Sequence, residues 1–82
     1  MKITTPKALA TALKDYRRRN SRTQQQVADL VGIKQSTVSA FESAPDKAKI
    51  ETLFKILAAL GLELHLSERL APKTSSGWQE EW

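Results

Sequence analysis

Apolar residues recur at helical spacing in four stretches of the chain and alternate with polar ones in a fifth. Leu9, Ala12, Leu13 and Tyr16 form the first set, behind a hydroxyl-then-proline start at Thr5-Pro6. They predict a helix with one apolar face running to about Arg19. Val27, Ala28, Leu30 and Val31 form the second set, and Thr23 with Gln26 three residues on is a capping box that marks its start. Gly32 can take the left-handed conformation that ends a helix without steric cost. Ile33 re-enters the core, and Val38 and Phe41 set the inner face of a third helix that starts near Lys34 or Gln35. Two short helices joined by a glycine turn are the helix-turn-helix motif, and Ala28 is the small side chain their crossing needs.

The segment from Ser43 to Lys49 is broken by Pro45 and reads as a loop. Ile50, Leu53, Phe54, Ile56, Leu57 and Leu60 then predict a helix buried on a broad face and stopped at Gly61. Leu62-Glu63-Leu64-His65-Leu66-Ser67 alternates strictly, which predicts a strand with Leu62, Leu64 and Leu66 on one face. A lone strand leaves its backbone groups unpaired, so the economical partner is the same strand of a second copy. The expected fold class is all-α: a small four-helix helix-turn-helix domain with a C-terminal strand pairing across a twofold homodimer.

If Val38 and Phe41 point inward, Gln35, Ser36, Ser39 and Ser43 lie on the outer side of the third helix, flanked by Lys34. An ordinary solvated helix would carry Glu and Lys there. Gln can pair two-pronged with adenine, Ser can serve several bases, and Lys can reach guanine or phosphate. Lys34, Gln35, Ser36 and Ser39 are therefore the expected base contacts. Arg22, Thr23 and Gln24 sit where the second helix begins, and free amides there attract phosphate. With Thr37 and Ser43 they make the expected set of DNA backbone contacts. Ala40 can touch a thymine methyl or nothing. Arg18 and Arg19 also suit a helix C-terminus through the dipole alone, and Lys47 and Lys49 are equally at home on phosphate or in water.

Charge adds to this reading. Residues 1–61 carry 11 basic and 5 acidic side chains, whereas residues 62–82 carry 2 basic and 4 acidic ones. A basic body suits a polyanion, though a net charge of +4 over 82 residues does not by itself require one. The length allows one domain, and a chain this short is only marginally stable alone. There is no cysteine and hence no disulfide or thiol chemistry. The longest apolar run, Ile56 to Leu60, is too short to span a membrane, and the N-terminus lacks a signal-type apolar region, so a cytoplasmic location and no membrane partner are expected. No cofactor or metal site is indicated: His65 is single and reads as a strand-surface residue. An enzyme is not expected either, since Ser36 and Ser39 have no visible base partner and there is no glycine-rich phosphate loop.

The run Gly32-Ile33-Lys34-Gln35-Ser36-Thr37-Val38-Ser39-Ala40-Phe41-Glu42, with Phe54-Lys55-Ile56-Leu57, the leucine strand and the terminal Glu-Trp, resembles the lambda-repressor/Cro (Xre-type) helix-turn-helix family and, within it, the HipB-type antitoxins. The resemblance covers residues 4 to 67 well and the tail loosely. It implies an Arg17–Glu42 ion pair clamping the first helix to the third, and a DNA backbone contact at Gln24. Lys34 and Ala40 depart from the residues many relatives carry there, which leaves the operator sequence open.

Residues 1–67 are thus expected to form the DNA-binding and dimerisation domain, and residues 68–82 a flexible acidic tail. Trp78 and Trp82 in that tail read as a short anchor motif. The resemblance implies that such a tail engages a HipA-like serine/threonine kinase toxin. The expected protein is then a repressor that binds a palindromic double-stranded operator, represses its own operon and serves as the antitoxin. A stand-alone Xre-type regulator without a toxin is the alternative, and a helix-turn-helix used only for protein contacts is a further one.

Overall fold

A computed structural model describes residues 1–69. Trp78 and Trp82, together with nearly all of the expected tail, lie outside the described residues. Four α-helices follow in order: α1 (Pro6–Arg19), α2 (Gln24–Val31), α3 (Gln35–Ser43) and α4 (Ile50–Leu60). The connection expected to be a plain loop before α4 contains one 3-10 turn at Pro45–Lys47, whose proline is pre-set for the first position.

Local chemistry accounts for the helix boundaries. Thr5 Oγ1 accepts from the Ala8 amide at 3.0 Å, so α1 starts on a side-chain cap. At α2 the box is reciprocal: Thr23 Oγ1 accepts from the Gln26 amide at 3.0 Å, and the Thr23 amide donates to Gln26 Oε1 at 2.9 Å. Gly32 and Gly61 end α2 and α4 at φ of 70° and 72°, and the next residues, Ile33 and Leu62, donate back to Ala28 and Leu57. α1 ends the same way without a glycine. Ser21 sits at φ 57°, its amide donates to Arg18 O, and the Arg22 amide donates to Arg17 O.

The core gathers Ala10, Leu13, Val27, Ala28, Val38, Phe41, Ile56, Leu57 and Leu60, with Leu9, Tyr16, Ile33, Leu53 and Leu62 packed around it. α2 lies against both α3 and α4. Ala28 is wholly buried, as close approach of two helices requires of a small residue.

Three expected core residues stay in solvent: Leu30 is 56 % exposed, Ile50 72 % and Phe54 52 %. Periodicity alone gave α4 one broad face, but the helix carries two stripes. Leu53, Ile56, Leu57 and Leu60 turn to the core, while Ile50, Phe54 and Ala58, four residues apart, turn away from it. The segment after Gly61 also departs from expectation. Among the described residues there is no strand, and Leu62, Leu64 and Leu66 lie outside regular structure. A strand needs a second extended segment to hydrogen-bond with, and the described chain supplies none. Leu62 is half-buried, while Leu66 is 99 % exposed.

Candidate nucleic-acid interface

The outer side of α3 is set by what its inner side buries. Val38 and Phe41 are buried against α1, α2 and α4, so the helix cannot rotate without opening the core. That leaves Lys34, Ser36, Ala40 and Ser43 exposed and Gln35, Thr37 and Ser39 half-exposed. Lys34 occupies the cap position of α3 but makes no side-chain cap bond. Ser43 Oγ donates to the Ser39 carbonyl at 3.0 Å, an i−4 bond that leaves its lone pairs outward.

A polar relay ties this helix to the other two. Arg17 is buried on the inner side of α1. Its Nε donates to Glu42 Oε2 at 2.8 Å, its Nη2 to Glu42 Oε1 at 3.1 Å and its Nη1 to the Arg22 carbonyl at 2.7 Å. The two side chains are 10 % and 7 % exposed. A forked guanidinium–carboxylate pair in such surroundings fixes geometry, and removing one partner of a buried pair costs about 3–5 kcal/mol. Glu42 Oε1 also accepts from Gln24 Nε2 at 2.8 Å. Gln24 Oε1 in turn accepts from Gln35 Nε2. Among the described residues no buried side-chain nitrogen or oxygen lacks a partner.

The relay brings the start of α2 beside the start of α3. Arg17, Arg18, Ser21, Arg22, Thr23, Gln24, Gln25 and Gln35 line one open concavity. Arg17 is neutralised by Glu42, so the positive charge this face offers outward comes from exposed Arg18 and Arg22, with Lys34 at the cap of α3. Thr23 spends its oxygen as an acceptor in the cap, and its hydroxyl hydrogen remains able to donate. Lys34, Ser36, Thr37, Ser39 and Ser43 are not part of the concavity and continue along α3.

Three features were not legible as site chemistry. Gln24 reads as a phosphate contact by place, but its bonds to residues 18 and 11 positions away depend on the fold. Ser21 carries no glycine signal for its left-handed backbone. Arg18 has a sequence signal, the basic cluster Arg17-Arg18-Arg19, which does not say which member turns to the concavity. His65, 2.7 Å from Glu63 and well exposed, makes a surface contact only. Among the described residues no cluster of His, Cys, Asp and Glu is arranged to hold a metal, and no helix is long and apolar enough to cross a membrane.

Comparison with known proteins agrees with this fold. The helix-turn-helix family profile matches residues 13–66. Antitoxin HipB of Escherichia coli K12 is 40 % identical over 83 aligned positions, covering 99 % of this chain and 94 % of the relative. Among solved structures, chains of the HipA-HipB-O2-O3 complex and of the HipB-O4 20mer complex each superpose with a TM-score of 0.82 at 44 % identity, covering 83 % of this chain and 96 % of theirs.

Proposed function

The chain belongs to the helix-turn-helix family and, within it, to the HipB antitoxins, and from that premise we propose that it is a dimeric, sequence-specific DNA-binding repressor. In this reading it binds a palindromic operator, represses its own operon and neutralises a HipA-like serine/threonine kinase. The observation that carries the DNA reading is the outer face of α3. Val38 and Phe41 anchor the helix, and short uncharged polar side chains project where a recognition helix meets base edges. Gln35, Ser36 and Ser39, with Lys34, are the base contacts. Arg22, Thr23, Gln24, Thr37 and Ser43 hold the DNA backbone, which fixes register without reading sequence.

Exposed apolar surface supports the dimer. Phe54, Leu57, Ala58, Leu62, Leu64 and Leu66, with Glu63, line one mostly apolar groove, and an exposed patch of this kind marks an interaction site. Pairing of residues 62–67 with the same segment of a second copy covers the leucines and satisfies the backbone in one step. A twofold dimer places two α3 helices about 34 Å apart, the spacing of successive major grooves on one side of DNA. The tail with Trp78 and Trp82 is proposed as the kinase anchor, in keeping with the HipA-HipB assembly among the structural relatives.

The test is affinity of the full chain for a palindromic duplex from its own promoter, against a scrambled duplex, across a salt series. The duplexes should differ by at least about 10³ in affinity and both should weaken with salt. Gln35→Ala should cost about 1–3 kcal/mol on the palindrome and almost nothing on the scrambled duplex. Equal affinity of the unaltered protein for both would remove the repressor reading. Co-purification with the kinase encoded beside it separates the antitoxin from a stand-alone regulator.

A further inference from the structure

We propose that Glu63 and His65 lock the register in which the segment after Gly61 pairs with a second copy of the chain. The twofold axis falls at Leu64, and Glu63 faces His65 of the partner subunit. The proposal rests on the pairing of residues 62–67 between two copies and adds which residue meets which. Its first observation lies within one chain. Glu63 Oε2 stands 2.7 Å from His65 Nε2, and the two side chains are 81 % and 77 % exposed. Residues two positions apart meet in this way on one side of an extended chain. Leu62, Leu64 and Leu66 line the groove beside Phe54 and Ala58; Glu63 contributes to it and His65 does not.

Directly opposed residues of an antiparallel pair share one face of the sheet. A register off by one residue therefore sets leucines against Glu63, His65 or Ser67 and loses the common apolar face. The registers that keep it have the axis at residue 63, 64 or 65. An axis at Glu63 opposes two carboxylates, and like charges directly opposite destabilise a sheet. An axis at His65 sets Leu62 against Glu68 and leaves Glu63 facing Ser67. With the axis at Leu64 every residue finds a match. Leu66, 99 % exposed in the single chain, meets Leu62 of the partner subunit at the groove, and Leu64 meets its own copy. On the other face each Glu63 has one His65 along its own strand and a second across the axis. A carboxylate accepts and an imidazole carries an N–H in either protonation state, so acceptors and donors alternate around the four side chains. A two-residue slip would displace one subunit by about 7 Å along the other. The two α3 helices would then miss the spacing of about 34 Å that successive major grooves demand. The register lock thereby guards the operator geometry.

The experiment is cysteine cross-linking of the full-length chain, which has no cysteine of its own, so each introduced thiol is the only one present. Opposed residues have Cα atoms about 4.5–5.5 Å apart, within reach of a disulfide, and pairs beyond about 7 Å are out of reach. Under mild oxidation Leu64→Cys should cross-link to itself. Glu63→Cys alone and His65→Cys alone should stay uncrosslinked, whereas an equimolar mixture of the two should give the mixed dimer, read by non-reducing mass spectrometry. Sedimentation tests the lock itself. Glu63→Lys should weaken dimerisation about threefold or more, as should His65→Glu, and the two together should return it to within about twofold of the unaltered protein.

Self-cross-linking of Glu63→Cys or of His65→Cys would put the axis at that residue and overturn the proposal while leaving the strand-paired dimer intact. Unchanged dimerisation in Glu63→Lys also overturns it, because the pair then has no part in assembly. A dimer by light scattering in which none of these variants cross-links removes the pairing of residues 62–67 together with the proposal. An unaltered chain that is monomeric removes the dimer reading beneath both.

Discussion

Ser21 shows how much a single backbone angle can hold. Its φ of 57° lies where a Cβ crowds the following carbonyl, and that region costs a non-glycine residue about 1–2 kcal/mol. The position persists because the turn it makes closes two hydrogen bonds at the end of α1 and presents the Arg22 carbonyl to Arg17. Glycine would remove the crowding but adds freedom to the unfolded chain, so the two effects partly cancel. Ser21→Gly should therefore raise stability by about 0.5 kcal/mol, a shift of about 2–4 °C in a calorimetric melt. A fall in the midpoint would mean that the serine side chain contributes something its exposure does not suggest. Nothing in the sequence near residue 21 signals this angle, because serine is a common loop residue at any φ.

Helix α3 illustrates the conflict between a stable element and a useful one. Its cap residue, Lys34, has the extended backbone of an N-cap but no side-chain acceptor for the free amides behind it. A serine there would accept from an amide one turn in. Lys34→Ser should stabilise the protein by about 1 kcal/mol in a urea titration and weaken DNA binding through the lost cation. The two signs must be opposite; a gain in both would take Lys34 out of the DNA contact set. The existence of α1 to α4, the side-chain caps of α1 and α2 and the glycine stops of α2 and α4 were legible in sequence because those features rest on contacts three to five residues apart. The division of α4 into two apolar stripes was not. Ile50 and Phe54 are as apolar as Leu53 and Leu57, and only the placement of α1, α2 and α3 says which stripe the core accepts.

At the scale of the whole molecule, the exposed stripe and the leucines after Gly61 bear on assembly. Leu64 is 45 % exposed, so charged replacements at Leu64 and Leu66 should not disturb the single-chain core. Leu64→Glu with Leu66→Glu should halve the mass in light scattering and reduce palindrome affinity toward that of a single half-site. An unchanged mass would exclude pairing through this segment. Deleting residues 72–82 should leave operator binding intact and weaken capture of the kinase, measured by calorimetry with the purified partner. Undiminished kinase affinity would place the anchor elsewhere than Trp78 and Trp82.

By itself the sequence determined the four helices, the motif at residues 23–43, the inward turn of Val38 and Phe41 and the polar outer surface of α3. All of these depend on short-range periodicity and capping, which act between residues a few positions apart. The Arg17–Glu42 pair was implied by the family resemblance, but the tertiary structure alone decided that the same guanidinium also reaches the Arg22 carbonyl. It also decided that Gln24 joins Glu42 to Gln35, and that Phe54 faces outward beside the leucines. Those outcomes depend on how three helices are placed relative to one another, and hydrogen-bond direction has no meaning until donors and acceptors from distant parts of the chain are within reach.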